Sequence, residues 1–493
     1  MTAERSHKMR VNIKHSGKTH PVEVDPSKSV SVFKDAIYQV TGVPSDRMKV
    51  MIKGVLKDDA DLSKLGLKPN QVLMVKFQVI GTSGPLPSAP TQQITFLEDM
   101  DQDAVALAVR NPPGLVNLGQ TCYLNSTLQA LKTIPQLNVA LDGFSSSSSS
   151  PESKVTNSLK NLFSGLNQTA DPVPPFSVLS NLRLMAPQFA ETDNAGRYSQ
   201  QDADEAWTQL LSALKLSLGS SSGTDGPIDK MMGLELTSKL QCAEAPEEPA
   251  TTSKERQLKL QCNISINTNF LVSGILDSLN QQIEKTSSSL GRMAVYNSES
   301  RLSRLPQNLV VHMVRFYWRR DIQKKAKIMR KVKYPLQLDT LDLATEEVRS
   351  QIQPVNSAVK QILKERDDRA KIIKRNAGKA TSDDATKEVD IRREERKKIE
   401  DLVKEKGIDG ETNVSGMYEL YAMVTHKGAS ADSGHYIGWT RKESEVPVAS
   451  GEEEWYKFDD DKVSVVTADK ILSMDGGGED SVAYILLYRA VNI

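Results

Sequence analysis

Cysteine is scarce in this chain: three residues in 493 (Cys122, Cys242 and Cys262), with no C-x-x-C pair among them. That excludes a disulfide framework and leaves no cysteine pair for a zinc site, so neither a metal nor another cofactor is expected. Charge of one sign is equally lacking. Lys and Arg total 63 and Asp and Glu total 63, for a net charge of zero. Phosphate-binding surfaces usually leave a basic excess, so nucleic acid is not expected as a partner. Long apolar runs are absent too, with nothing near the roughly 18 residues of a membrane span. The opening MTAERSHKMR has no apolar core of a secretion signal. The expectation is a soluble protein of a reducing compartment with no membrane partner. Aromatic residues make up only 5% and hydrophobic residues 38%, against 26% charged. That is polar for a compact globule and predicts solvated insertions. At about 100–200 residues per domain, the length allows two to four domains.

What is present begins with a small α+β unit. Met9, Val11 and Ile13 alternate with polar residues, the two-residue period of a half-buried strand, and Ser16-Gly17-Lys18 supplies a turn into a return strand through Val22 and Val24. Phe33, Ala36, Ile37 and Val40 then recur at helical spacing, and Gly42 is a stop signal. Strand-like runs follow at 48–52 and 72–77. Two strands, a helix and further strands within about 70 residues is the element order of a β-grasp domain. Residues 9–79, including VPSDRMKVMIKGVLKDDADLSKLGLKPNQ, resemble ubiquitin. The match departs at its end, because Phe77-Gln78-Val79-Ile80-Gly81 replaces the Gly-Gly tail used for conjugation. The resemblance therefore implies a docking domain rather than a conjugatable tag, with Met51 and Val75 aligned to ubiquitin's exposed apolar patch.

Residues 80–111 read as a linker, since Gly81, Gly84, Pro85, Pro87 and Pro90 crowd into one short stretch. A long segment, 112–490, follows with two interruptions. Ser145–Ser150 is an unbroken serine tract with nothing to bury, and reads as a surface loop or disordered segment. More than half of residues 361–410 are charged, so a region of about 345–412 reads as a partly helical or disordered insertion outside the core.

Three islands within 112–490 carry chemistry-bearing residues. In GLVNLGQTCYLNSTLQAL (114–131), Leu124, Leu128 and Leu131 share a helical face, which puts Cys122 at a helix start. The positive end of a helix dipole favours a thiolate, yet a lone cysteine is as readily a small buried hydrophobe. In SGHYIGWT (433–440), His435 precedes a strand-like run and reads either as a base or as a packed core histidine. In EWYKFDDDKVSVV (454–466), the aspartates sit between two strands, where one could orient an imidazole and all could be a solvated turn.

Taken together the islands say more. Cysteine early on a helix, then histidine and aspartate late on adjacent strands, is the layout of papain-like cysteine proteases. Residues 114–131 resemble the cysteine box of the ubiquitin-specific proteases, and 433–440 with 455–463 resemble their histidine box. QQDADEAW (200–207) resembles their QQDA-x-E motif, and LPQNLVVHMVRFYWRR (305–320) another of their core strands. The fold implied is α+β: a β-grasp domain followed by a protease domain of thumb, palm and fingers. Many relatives hold zinc in the fingers through two C-x-x-C pairs. This chain has none, and Cys242 and Cys262 are expected on paired finger strands without metal.

The resemblance implies hydrolysis of the isopeptide bond after ubiquitin's C-terminal glycine. Cys122 is then the nucleophile, His435 the base and Asp459 its orienter. Asn117 is implied as an oxyanion donor, with Asp460 as an aid to the oxyanion or the alternative orienter. Gln201, Asp202 and Glu205 fall in the substrate-binding motif, where Asp204 stands at the position often held by His or Asn. A ubiquitin-like domain ahead of such a protease is similar to the proteasome-associated members of the family. That implies ubiquitin, ubiquitinated proteins and the regulatory particle of the 26S proteasome as partners, activation on docking, and a place in cytoplasm and nucleus. The competing reading is a catalytically idle ubiquitin-binding scaffold, against which the complete set of Cys122, His435 and Asp459 weighs.

Overall fold

The computed structural model describes residues 8–77 and 111–493, apart from 16–17, 44, 46–47, 53–54, 70–71, 146–147, 194, 220–224, 320–323, 376–381, 431–432, 444–450 and 479–480. The chain forms two separate units, divided near Phe96. The Gly/Pro-rich stretch at 81–90 lies outside the described residues.

In the first unit, β1 (Met9–His15), β2 (Lys18–Val24), β3 (Met48–Met51) and β4 (Val72–Phe77) form a mixed sheet in the order β2-β1-β4-β3, with β1 and β4 parallel. Val11, Ile13, Val22 and Val24 are the inward members of the alternating strands. Helix α1 (Val30–Thr41) covers them with Phe33 and Ile37, and ends where Gly42 takes φ 70° and donates its N–H to the Tyr38 carbonyl. Val40, expected on the buried face, is exposed. Lys34, not expected on that face, is buried and paired with Asp58. The register sets Met51 opposite Met74 and Val75 opposite the buried Val50. Met51 and Val75 are therefore not cross-strand partners and fall on alternate positions of the two-residue period, which does not suit one common patch. The side chain of Val75 itself lies outside the described set.

The second unit opens with a helical lobe: α2 (Cys122–Lys132), α3 (Pro135–Asp142), α4 (Pro151–Leu166), α5 (Phe176–Met185), α6 (Ala203–Ser217) and α7 (Pro227–Met232). The serine tract is not idle at its end. Ser150 caps α4, its hydroxyl accepting from the Ser153 N–H at 3.2 Å. Next come β5 (Leu234–Cys242), β6 (Thr251–Gln257), β7 (Leu260–Asn263), α8 (Leu271–Leu279), β8 (Asn280–Thr286), β9 (Met293–Arg304), β10 (Asn308–Val314), β11 (Phe316–Arg319), β12 (Lys324–Lys327) and β13 (Gln337–Asp339). A helical hairpin, α9 (Glu346–Arg375) and α10 (Ser382–Glu405), precedes β14 (Met417–Ser430), β15 (Ser433–Arg441), β16 (Glu454–Asp459), β17 (Lys462–Thr467), α11 (Ala468–Leu472) and β18 (Val482–Ala490).

Seven strands run in the order β17-β16-β15-β14-β18-β10-β7, with β13 added on β14. Central β18, VAYILLYRA, is buried along nearly its whole length because both faces of the sheet are covered. Tyr484, Ile485 and Leu487 meet the helical lobe, whereas Ala483, Leu486 and Tyr488 face a second core with α8 and α11. A separate antiparallel sheet, β6-β5-β9-β8, forms the fingers and is largely exposed on its outer strands.

Two expectations are corrected here. Cys242 and Cys262 are not on paired strands: Cys242 ends β5 in the finger sheet, and Cys262 lies in β7, which pairs with β10 in the large sheet. Both are buried free thiols, and burial pushes Cys262 up to about 12. The charged insertion is not wholly outside the core either. The base of its hairpin buries Val355, Val359 and Ile362 against Ile399, Met417 and Val491, and buried Asn356 donates to the Ser415 carbonyl at 2.9 Å. Farther out, Arg366 and Arg369 pair with Glu395 and Glu388 between the helices, so charge itself supplies the inter-helix contact.

Candidate active site

The loop before α2 is organised around one side chain. Asn117 Oδ1 accepts from the Gly119 N–H at 2.9 Å, and from the Thr121 N–H and hydroxyl at 3.3 and 3.2 Å. Gly119 and Gln120 take φ 96° and 56°, the backward turn that lets those donors converge. Thr121 returns the favour by accepting from the Leu118 N–H at 2.9 Å. Helix α2 begins immediately after this knot, with Cys122 as its first residue.

The helix is buried on every side, not along one stripe. Asn125, Ser126, Thr127 and Gln129 are as enclosed as its leucines. Strand β15 crosses it closely: a Cβ on Gly438 would stand 3.1 Å from the Ser126 carbonyl oxygen, so the glycine sets how near His435 comes to Cys122. His435, three residues earlier on β15, faces the Cys122 sulfur on one side. On the other, its Nε2 lies 2.6 Å from Asp459 Oδ1 at the end of β16. Asp459 Oδ2 in turn accepts from Lys457 Nζ at 2.7 Å. The Cys122 contact, with Asp459 after it, outweighs burial and raises His435 to about 9. Burial of Asp459 opposes its charge, but Lys457 and then His435 hold its carboxyl below the usual range.

Asp460 does not touch the histidine. It occupies the two-residue turn between β16 and β17 at φ 55°, and its carboxylate accepts from Asn117 Nδ2 and Asn125 Nδ2, each at 2.8 Å. Its carbonyl accepts from the Leu115 N–H at 2.9 Å, and Gly114 passes so close that a Cβ there would collide with the Asp460 and Asp461 carbonyls. An ionised carboxylate only accepts hydrogen bonds. Asp460 thus anchors Asn117 rather than orienting His435. Asn125, which the sequence reading did not single out, completes that anchor. Its only signal is a polar residue among the leucines of an otherwise apolar helix.

Asp202 is the N-cap of α6, accepting from the Asp204 and Glu205 N–H groups at 2.7 and 3.3 Å, while its other oxygen accepts from the Tyr484 hydroxyl at 2.6 Å. Its carboxylate is engaged within the protein. Glu205 is exposed and accepts from Gln188 Nε2 at 3.3 Å, and half-buried Gln201 reaches the Ser199 carbonyl at 3.5 Å. Asp204 turns out to be an anchor as well. Lys259 Nζ donates to both of its oxygens, at 2.7 and 2.6 Å, and His312 Nδ1 is 3.4 Å away. Asp202, Asp204, Glu205, His312, Phe316 and Tyr484 line an acidic groove of about 390 Å³. Among the described residues no group of three or more His, Cys, Asp or Glu could hold a metal, and no helix is long and apolar enough to cross a membrane.

A cysteine at the start of a buried helix, facing a histidine and an aspartate on neighbouring strands, is the arrangement of papain-like thiol hydrolases. Residues 113–488 match the family profile described as ubiquitin carboxyl-terminal hydrolase, and residues 11–78 that of the ubiquitin family. The chain is 39% identical over 490 residues to ubiquitin carboxyl-terminal hydrolase 6 of Schizosaccharomyces pombe, covering 98% of this chain and 99% of the relative. Ubiquitin carboxyl-terminal hydrolase 6 of Arabidopsis thaliana is 38% identical, covering 95% and 96%. Ubiquitin carboxyl-terminal hydrolase 14 of Caenorhabditis elegans is 30% identical, covering 97% and 93%. The chain belongs to the ubiquitin carboxyl-terminal hydrolase family: it is a cysteine-type deubiquitinase with an N-terminal ubiquitin-like domain.

Proposed function

We propose that this deubiquitinase cleaves the isopeptide bond after ubiquitin's C-terminal glycine on conjugates held at the proteasome, with Cys122, His435 and Asp459 as its catalytic set. The observation that carries the reading is His435 joined to the Cys122 sulfur on one side and to Asp459 on the other. With Nε2 committed to Asp459, Nδ1 takes the Cys122 proton before the sulfur attacks the glycine carbonyl. It then delivers that proton to the departing lysine amine. The resulting thioester is hydrolysed by water, deprotonated by the same nitrogen. Positioned proton transfer of this kind is worth about 10²–10⁴-fold.

Charge on the tetrahedral oxygen falls to donors already in place. One is the Cys122 N–H, which as the first residue of α2 has no intrahelical acceptor. The other is Asn117, whose amide keeps its second hydrogen after donating to Asp460. Exposed Glu205 is the carboxylate suited to an arginine of the ubiquitin tail, with Asp202 shaping the groove beside it and Gln201 as the neighbouring substrate contact. The tail's two glycines suit a narrow cleft because neither carries a Cβ.

The ubiquitin-like domain serves, in this reading, to dock on the regulatory particle of the 26S proteasome, and docking raises the protease's activity, in cytoplasm and nucleus. What supports it is a ubiquitin-family domain that ends without a Gly-Gly tail, ahead of a protease domain.

Cys122→Ala tests the chemistry. Turnover of a ubiquitin C-terminal fluorophore should be abolished while ubiquitin affinity stays within a few-fold, since the thiol adds little docking area. Residual hydrolysis near wild type would sink the assignment, and wild-type protein unable to react with a ubiquitin electrophile would favour the idle scaffold.

A further inference from the structure

One half-buried cation near the site has no part in the chemistry described so far. Lys327 is the last residue of β12, directly opposite Phe316 in the β11–β12 hairpin. Its ammonium has three hydrogens, and three acceptors meet it: His426 Nδ1 at 3.1 Å, the His426 carbonyl at 2.9 Å and the Gly428 carbonyl at 3.0 Å. All three lie about a hundred residues away in sequence, at the far end of β14.

The acceptors sit where the route to His435 is set. Lys427 pairs with His435 across β14 and β15, and His426 with Tyr436. Beyond Lys427 the register breaks until Ser430 meets Ser433. Gly428 and Gly434 take φ 127° and 129°, and a Cβ on Gly434 would collide with the Lys427 carbonyl. Lys327 thus holds the 426 carbonyl, in the last regular pairs of β14, and the 428 carbonyl, just past the break. His426 is fully buried, and burial first, then the Lys327 charge, push it down to about 3. A neutral ring accepts at Nδ1, as the contact requires. Phe316 lies edge-on to the same ring, 5.3 Å between centroids, so the two facing residues of the hairpin both grip His426. Burial and then Arg315 lower Lys327 to about 8.

We propose that Lys327 is a positioning residue for the hydrolysis: by tying the β11–β12 hairpin to the carbonyls of His426 and Gly428, it fixes the turn that delivers His435 to Cys122. The inference rests on His435 being the base, and that premise is checked separately by His435→Ala.

The test uses the full chain with Lys327→Met, which keeps the length and loses every donor, and Lys327→Arg, which keeps charge and donors. Active sites are titrated with a ubiquitin carrying a C-terminal electrophile, so that rates refer to competent Cys122. Lys327→Met should lower kcat per titrated thiol about tenfold, because small misplacements of a catalytic group cost rate steeply. KM should stay within about twofold, and the alkaline limb of kcat/KM should move toward the ordinary imidazole range as His435 drifts from its partners. Lys327→Arg should recover kcat to within about threefold of wild type. Unchanged kcat per thiol and an unmoved limb in Lys327→Met would overturn the proposal. So would failure of both Lys327→Met and Lys327→Gln to fold, which would make the lysine a folding residue. If His435→Ala keeps wild-type turnover, the catalytic assignment fails instead, whatever Lys327→Met does.

Discussion

His435 shows how much of the chemistry rests on pairwise contacts. An isolated imidazole titrates near 6.5. Here the Cys122 sulfur and then Asp459 carry it to about 9, so it holds its proton across neutral pH. The sign for stability follows: the imidazolium's contribution is complete below about 6.5 and is lost as pH rises through about 9. For catalysis, the coupled cysteine–histidine pair should lose activity on the alkaline side near that value. Asp459→Asn removes the charge while keeping a hydrogen-bonding oxygen. It should move the alkaline limb of kcat/KM to lower pH and slow turnover, though by less than the roughly hundredfold or more expected of His435→Ala. A pH–rate profile decides the matter; a limb that stays put in Asp459→Asn would mean that Asp459 does not govern the histidine. Choosing among the three consecutive aspartates is where sequence was weakest. Asp459 ends a strand beside His435, while Asp460, one residue on at φ 55°, faces the opposite way toward Asn117 and Asn125. A single peptide step divides the carboxylate that meets His435 from the one that holds the two asparagines.

Among the elements, the α9–α10 hairpin behaves least as its composition suggests. A segment so charged reads as solvated, yet Glu395 is only 8% exposed and bridges Arg366 and Arg369, each at 2.7 Å. Removing one member of an enclosed charge cluster leaves its partners unpaired. Glu395→Gln should therefore loosen the outer hairpin by about 1–3 kcal/mol, the scale of a lost charged hydrogen bond. Amide hydrogen exchange across 382–405 should report that loosening, while turnover of a ubiquitin fluorophore stays at the wild-type rate. Exchange no faster than wild type would show the ion pairs to be ornamental. The apolar base of the same hairpin, Val355, Val359 and Ile362 against Met417 and Val491, explains why the insertion is ordered where it meets the palm. Val355, Val359 and Ile362 are spaced at helical intervals, but Met417 and Val491 lie more than fifty residues away and so escape a local reading.

At the scale of the whole molecule, the two units have separate cores and are expected to act separately. Deleting residues 1–80 should leave the basal rate of the protease almost unchanged and strongly weaken association with the 26S proteasome. Wild-type rates of activation by added proteasome in the truncated chain would place docking elsewhere. Tethering raises local concentration without any new contact, so the loss should appear in affinity before it appears in the maximal activated rate.

Sequence by itself determined the β-grasp unit, the start of α2 at Cys122, the strand bearing His435 and the strand–turn–strand around the aspartates. Each is written in local spacing: two-residue alternation, helical recurrence, a glycine stop, a turn between apolar runs. Tertiary structure decided the rest, because it depends on residues far apart in the chain. It put Asn125 beside Asp460, 335 positions away. It tied Asp202, an expected substrate contact, to Tyr484 and Asp204, to which no role had been assigned, to Lys259, making both struts of the groove. It separated Cys242 and Cys262 onto different sheets, and set Met51 and Val75 out of register. A side chain's neighbours across a sheet or between lobes are fixed by how strands pair and helices pack, and no local period in the chain records that pairing.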